Sequence, residues 1–205
     1  MDYLEFKRSF VDKVCFSTHQ IQTLYPGFVN NNLTRWVKKG LLVKLRNGYY
    51  AFPEYLSVPG SPFYIANRIY RPSYVSLHSA LAFYGFIPEA ISQVTCVSSL
   101  KTASFNNRFG TFSYKSVLPA LMFGYVQKSF NKSMSALVAQ PEKALLDLLY
   151  LYSFYNSADE IQNLRLDEDL MHGIIDKGLF LDLAVRFNNK ALSRRVNLLI
   201  EIYRI

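Results

Sequence analysis

The stretch from Phe28 to Tyr50 restricts the fold more than any other part of the chain. It holds Arg35, Lys38, Lys39, Lys44 and Arg46 with no acidic residue, and its pattern changes midway from helical to strand-like. Asn30, Asn31 and Asn32 are each suited to cap a helix N-terminus, and Gly40, just after Lys38 and Lys39, suits the position past a helix end. At about 100° per residue, Leu33, Trp36 and Val37 share one side of this helix. Asn31, Arg35 and Lys38 take the other, with Thr34 and Lys39 at its margins. Leu41 to Leu45 and Tyr49 to Phe52 are then two apolar runs around Arg46-Asn47-Gly48. An Asn-Gly pair so placed predicts a tight hairpin of the kind whose two central residues both take positive φ.

Two further helices are expected ahead of it. Tyr3, Phe6, Phe10 and Val14 recur at spacings of three and four, which makes one apolar helix face. Ser17-Thr18-His19-Gln20 reads as a capping box, with Phe16 and Ile21 as a hydrophobic staple, and Tyr25-Pro26-Gly27 ends the helix it starts. Helix, helix, amphipathic helix with a basic outer face, then a basic hairpin is the order of a winged helix-turn-helix, whose third helix enters the major groove. Asn31, Arg35 and Lys38 are then the base-reading candidates, because Asn can bond adenine, and Arg guanine, through two points. Lys44 and Arg46 would meet phosphates, and Asn32, Thr34, Lys39 and Asn47 complete the expected DNA-binding set. The alternative is a small helical subdomain that binds protein or nothing.

Charge is uneven along the chain. Residues 1–58 carry eight basic and four acidic side chains, residues 59–145 eight and two, and residues 146–205 seven and nine, for a total of +8. The positive field of the first two thirds suits a polyanion. With 205 residues, half of them hydrophobic, the chain is long enough for two compact units and too apolar for general disorder. No apolar run is long enough to cross a bilayer, and Asp2, Glu5, Lys7 and Arg8 interrupt the N-terminus where a signal peptide would be apolar, so a cytoplasmic protein is expected. Cys15 and Cys96, far apart, read as small buried hydrophobes in a reducing compartment.

Pro53 to Pro62, rich in Pro, Gly and Ser, suits a linker. Beyond it a helix is expected over 62–70, and a second from Ser76, its cap, to Gly85 with Leu77, Ala80, Leu81 and Tyr84 on one face. Residues 92–99 and 109–117 are β-prone, 121–127 and 134–138 more weakly so. Pro141 opens an apolar helix, and a last helix spans about 190–202. The expected fold class is therefore α+β: a winged helix-turn-helix at 1–57 and a mixed α/β domain at 58–205.

Catalytic constellations do not assemble from these residues. Glu142, Lys143, Asp147 and Glu89 suggest a metal-dependent nuclease, but residues 59–145 offer only Glu89 and Glu142 as carboxylates. Glu142 suits the first turn of its helix electrostatically, and Asp147 can pair with Lys143 one turn earlier. Ser76, His78 and Ser79 point in different directions on a helix, and His19, His78 and His172 lack metal-ligand spacing. A non-enzyme without metal or cofactor is expected.

Four phrases in order carry a resemblance. They are Trp36 to Tyr50 (WVKKGLLVKLRNGYY), Tyr74 to Pro88 (YVSLHSALAFYGFIP), the Phe105 to Tyr114 stretch around Gly110, and Ala139 to Tyr150 (AQPEKALLDLLY). Through them the chain resembles the AbiEi-type antitoxins of bacterial type IV toxin–antitoxin and phage-defence systems, over most of its length to about residue 155. The resemblance implies an N-terminal winged helix that binds double-stranded operator repeats and represses its own operon. It also implies a C-terminal antitoxin domain that opposes a nucleotidyltransferase-like toxin encoded alongside.

Overall fold

In the computed structural model, which describes residues 1–88 and 93–205, Asp2 caps the first helix, α1 (Tyr3–Phe10), by accepting from the Glu5 amide at 2.9 Å. Glu89 and the first residue of the β-prone segment at 92–99 lie outside the described residues. The expected capping box forms: the Gln20 amide donates to Ser17 Oγ at 3.2 Å, and the Ser17 amide donates to Gln20 Oε1 at 2.8 Å. It starts α2 (Thr18–Leu24), and α3 (Asn31–Lys38) follows. Just before α2 the chain also makes a short strand, β1 (Cys15–Ser17), which the helical pattern concealed. With β2 (Val43–Arg46) and β3 (Tyr49–Ala51) it builds an antiparallel sheet in the order β1-β3-β2.

Side-chain alternation gives this small sheet two apolar faces. Phe16 and Tyr50 lie on one face and, with Phe52 and Leu42, join a core with Phe6, Phe10, Ile21, Phe28, Leu33 and Trp36. Cys15, Val43 and Ala51 lie on the other and, with Val14 and Leu45, belong to a larger core shared with the rest of the chain.

A 3₁₀ turn over Pro53–Ser57 occupies the expected linker and leads to α4 (Ser61–Ile69). Then come β4 (Ser73–Val75), α5 (Leu77–Phe83), β5 (Gln93–Ser98), β6 (Ala103–Asn107), β7 (Gly110–Ser116), β8 (Tyr125–Ser129) and β9 (Ser135–Ala139). Their sheet has the order β6-β7-β5-β4-β9-β8, parallel at β5–β7 and β4–β9 and antiparallel elsewhere. On one face the Tyr114 hydroxyl donates to the Ala66 carbonyl of α4 at 2.8 Å; on the other the Tyr74 hydroxyl reaches Asp147 of α6 (Pro141–Leu151) at 2.9 Å. α7 (Ala158–Gln162), α8 (Glu168–Ile174), α9 (Lys177–Val185) and α10 (Lys190–Tyr203) complete the chain, with α9 and α10 packed on α6. No helix among the described residues is long and apolar enough to cross a membrane.

The expected Lys143–Asp147 pair forms, and it lies in the core with both side chains at 0% exposure. The Lys143 ammonium also donates to the Tyr74 hydroxyl at 2.9 Å, and the Ser76 hydroxyl donates to Asp147 Oδ2 at 2.7 Å. Phe123 and Phe187 face the ammonium at 4.9 and 4.8 Å from their centroids. Burial pushes the Asp147 carboxyl up and the Lys143 ammonium down from their ordinary values, and their attraction opposes both shifts. Ser76 thus departs from its expected capping role. It stands at the N-cap position of α5, but its hydroxyl goes to the buried carboxylate, and Thr95 Oγ1 takes over the cap by accepting from the Ser79 amide at 3.1 Å.

Candidate nucleic-acid interface

Leu33 and Trp36 fix the orientation of α3. They are 1% and 7% exposed, and the Trp36 ring packs at 5.5 Å from Tyr3, 4.8 Å from Phe6 and 5.8 Å from Phe28. With that side anchored, Asn31, Thr34, Arg35, Lys38 and Lys39 stand exposed on the opposite side, and Asn32 is half-buried. None of Arg35, Lys38 and Lys39 has a carboxylate partner: the ion pairs among the described residues are Lys7–Glu54 and Lys143–Asp147. Arg35 and Lys38 also sit in the last turn, where a cation complements the helix dipole. Asn30 is the residue before the helix, but its side chain makes no cap and accepts instead from Gln22 Nε2 at 3.2 Å.

The hairpin departs from the expected geometry. Gly48 takes φ of +78°, but Asn47 is not among the positive-φ residues, so the two-residue turn with both centres left-handed does not form. The register slips between Lys44 and Arg46, which pair with Tyr50 and Tyr49, and leaves Leu45 as an extra residue on β2. Such a bulge re-aims side chains. Lys44 and Asn47 remain exposed, while the Arg46 guanidinium lies over Tyr49 at 5.0 Å, Tyr70 at 5.9 Å and Phe105 at 5.3 Å. Its Nε is buried without a partner. Asn107 Nδ2 donates to the Leu45 carbonyl at 3.1 Å and pins the same strand to β6. Arg46 therefore lies between the hairpin and the larger sheet, not at a free hairpin tip.

The sequence missed the neighbour that completes this surface. The Thr18 amide donates to the Gly48 carbonyl at 2.9 Å, so the hairpin tip lies beside the start of α2, where His19 and Gln20 are exposed. The capping box was the available signal, since it fixes where α2 begins.

The nucleophile and metal candidates have other occupations. Ser79 Oγ donates to the Gln93 carbonyl at 3.1 Å, the His78 ring packs 5.8 Å from Tyr152, and Glu142 accepts from the Asp176 amide at 3.1 Å. Burial pushes the Cys15 thiol up to about 12, which holds it as the unreactive thiol. Among the described residues no three of His, Cys, Asp or Glu come together as metal ligands. The sequence matches no protein-family model and no curated protein.

Proposed function

We propose that the chain is a DNA-binding transcriptional regulator and antitoxin of the AbiEi type. Residues 1–57 would act as a winged helix-turn-helix on operator repeats upstream of its own operon, and residues 58–205 as the domain that opposes a nucleotidyltransferase-like toxin in the cytoplasm. The observation that carries this reading is α3: five exposed residues, Asn31, Thr34, Arg35, Lys38 and Lys39, whose cations pair with no carboxylate among the described residues, followed by a hairpin in a β1-β3-β2 sheet. A helix held by Leu33 and Trp36 with this outer face suits a major groove, where Arg and Asn discriminate bases and Lys holds phosphates.

A gel-shift titration against the upstream duplex tests it. Binding should weaken steeply with salt. Arg35→Ala should cost about 1–3 kcal/mol and relax specificity at one base position, and Lys44→Ala should weaken all sequences alike. Arg46→Ala should leave the salt slope unchanged, because its guanidinium is engaged by three rings. Salt-insensitive or absent binding by the folded protein sinks the DNA reading. The clamped hairpin favours a second reading, in which the small sheet and α3 dock a protein; absence of salt-sensitive DNA binding by the parent, together with lost growth rescue from the co-expressed toxin in a folded Arg35→Ala/Lys38→Ala variant, would support it.

A further inference from the structure

The six-stranded sheet forks between β4 and β9. These two parallel strands share one registered pair, Val75 with Val138, whereas β8 and β9 are paired from Tyr125–Ala139 to Ser129–Ser135. Beside the fork Asn67 of α4 substitutes for the missing strand, its Oδ1 accepting from the Leu137 amide. A cleft of about 360 Å³ opens there. Asn67 and Ser73 line it, and two of their polar atoms, Asn67 Nδ2 and Ser73 Oγ, are buried with no hydrogen-bond partner, Ser73 being only 5% exposed. Arg68 and Arg71 line it as well, and no acidic residue does. Both guanidiniums are pre-ordered: Arg68 rests 4.8 Å from the Tyr64 ring, and Arg71 Nε donates to the Asn67 carbonyl at 3.2 Å. Tyr125, stacked on Tyr74 at 4.7 Å, and Met122 form an adjoining wall.

Buried donors without partners are rare in folded proteins, and here they share a cleft with two cations that no carboxylate neutralises. We propose that this fork binds the terminal phosphate of a small phosphorylated molecule. The phosphate oxygens accept from Asn67 Nδ2, the Ser73 hydroxyl and the two guanidiniums, and the remainder of the molecule lies against Tyr125 and Met122. A phosphomonoester supplies several acceptors and close to two negative charges, which suits paired arginines better than a carboxylate does. The site is independent of the DNA-binding role of α3. Duplex DNA offers the same group as a singly charged diester on a convex surface, and it is the competing source.

Inorganic phosphate and AMP, titrated into the intact protein at constant ionic strength, test the assignment by thermal shift and calorimetry. Both should bind saturably, adenosine should not, and Arg68→Gln/Arg71→Gln should weaken both by about tenfold or more. Ser73→Ala, which removes one oxygen, should weaken them less, and Lys132→Gln, on an exposed turn, should change nothing. Circular dichroism establishes that each variant is folded, and Ser73→Ala keeps the test decisive if the arginine variant is not. Absence of saturable binding, or equal affinity in the two cleft variants and the parent, overturns the proposal. So does displacement of phosphate by a duplex whose own affinity falls as far in the arginine variant, which would give the two arginines to a nucleic-acid backbone.

Discussion

Ten buried side chains make the core under α3; seven are aromatic and none carries a charge. The larger core behind β4 and α6 instead encloses an ammonium and a carboxylate at 0% exposure, satisfied by one phenol and one hydroxyl. The aromatic core gains from area and tolerates small shifts. The charged core gains only if its four polar groups keep their geometry, because each charge is costly once its partner is removed. The same contrast separates the two ion pairs, since Lys7 and Glu54 have 34% and 51% of their side-chain surface in solvent.

The largest test of this contrast is Asp147→Ala. It strands the Lys143 ammonium and should cost roughly 3–5 kcal/mol by urea denaturation. Lys143→Met/Asp147→Leu should recover most of that loss; a double variant as unstable as the single one would mean that the site needs its charges. Trp36→Ala follows, at about 3 kcal/mol for a buried aromatic truncated beside three rings, and an unchanged melting temperature would contradict the packing of α3. Tyr74→Phe keeps the ring but removes the bridge between Lys143 and Asp147. A loss of about 1–2 kcal/mol is expected, and no loss would show that water or Ser76 replaces the phenol.

The smallest effect belongs to Lys7–Glu54. Screened by solvent, Glu54→Gln should cost less than about 1 kcal/mol, and less again in high salt. The hydrogen bond from Lys7 holds the Glu54 carboxyl below its ordinary value of 4.5. The small stabilisation is therefore fully present above that value and is lost as the pH falls through the depressed one. A loss as large as that of Asp147→Ala would erase the distinction between the two pairs.

Local signals made the aromatic region readable. The Ser17–Gln20 box, the 3–4 spacing of Phe6 and Phe10, and the Leu33–Trp36 face each specify backbone within a few residues, and the structure has α1, α2 and α3 there. Partners distant in sequence stayed hidden. Arg46 is defined by Tyr70 and Phe105, and Ser76 by Asp147, contacts that no window of neighbouring residues contains. The tail was obscure for another reason. Ser157, Asp167, Asp176 and Asn189 cap four successive helices, so much of what reads as an acidic, irregular segment is the set of residues that starts short helices. On the candidate DNA surface the exposed face of α3 was legible from periodicity alone, whereas the bulge that turns Arg46 inward depends on tertiary packing.

The small sheet carries buried apolar side chains on both faces. Cutting the chain after residue 57 would lay bare Val14, Cys15, Val43, Leu45 and Ala51, a row of apolar side chains on a three-stranded ribbon. The first fifty-seven residues are thus no portable cassette. Grafted elsewhere they would seek another cover, and within the whole chain their backbone amides should exchange with solvent at the pace of the larger sheet, as parts of one cooperative unit.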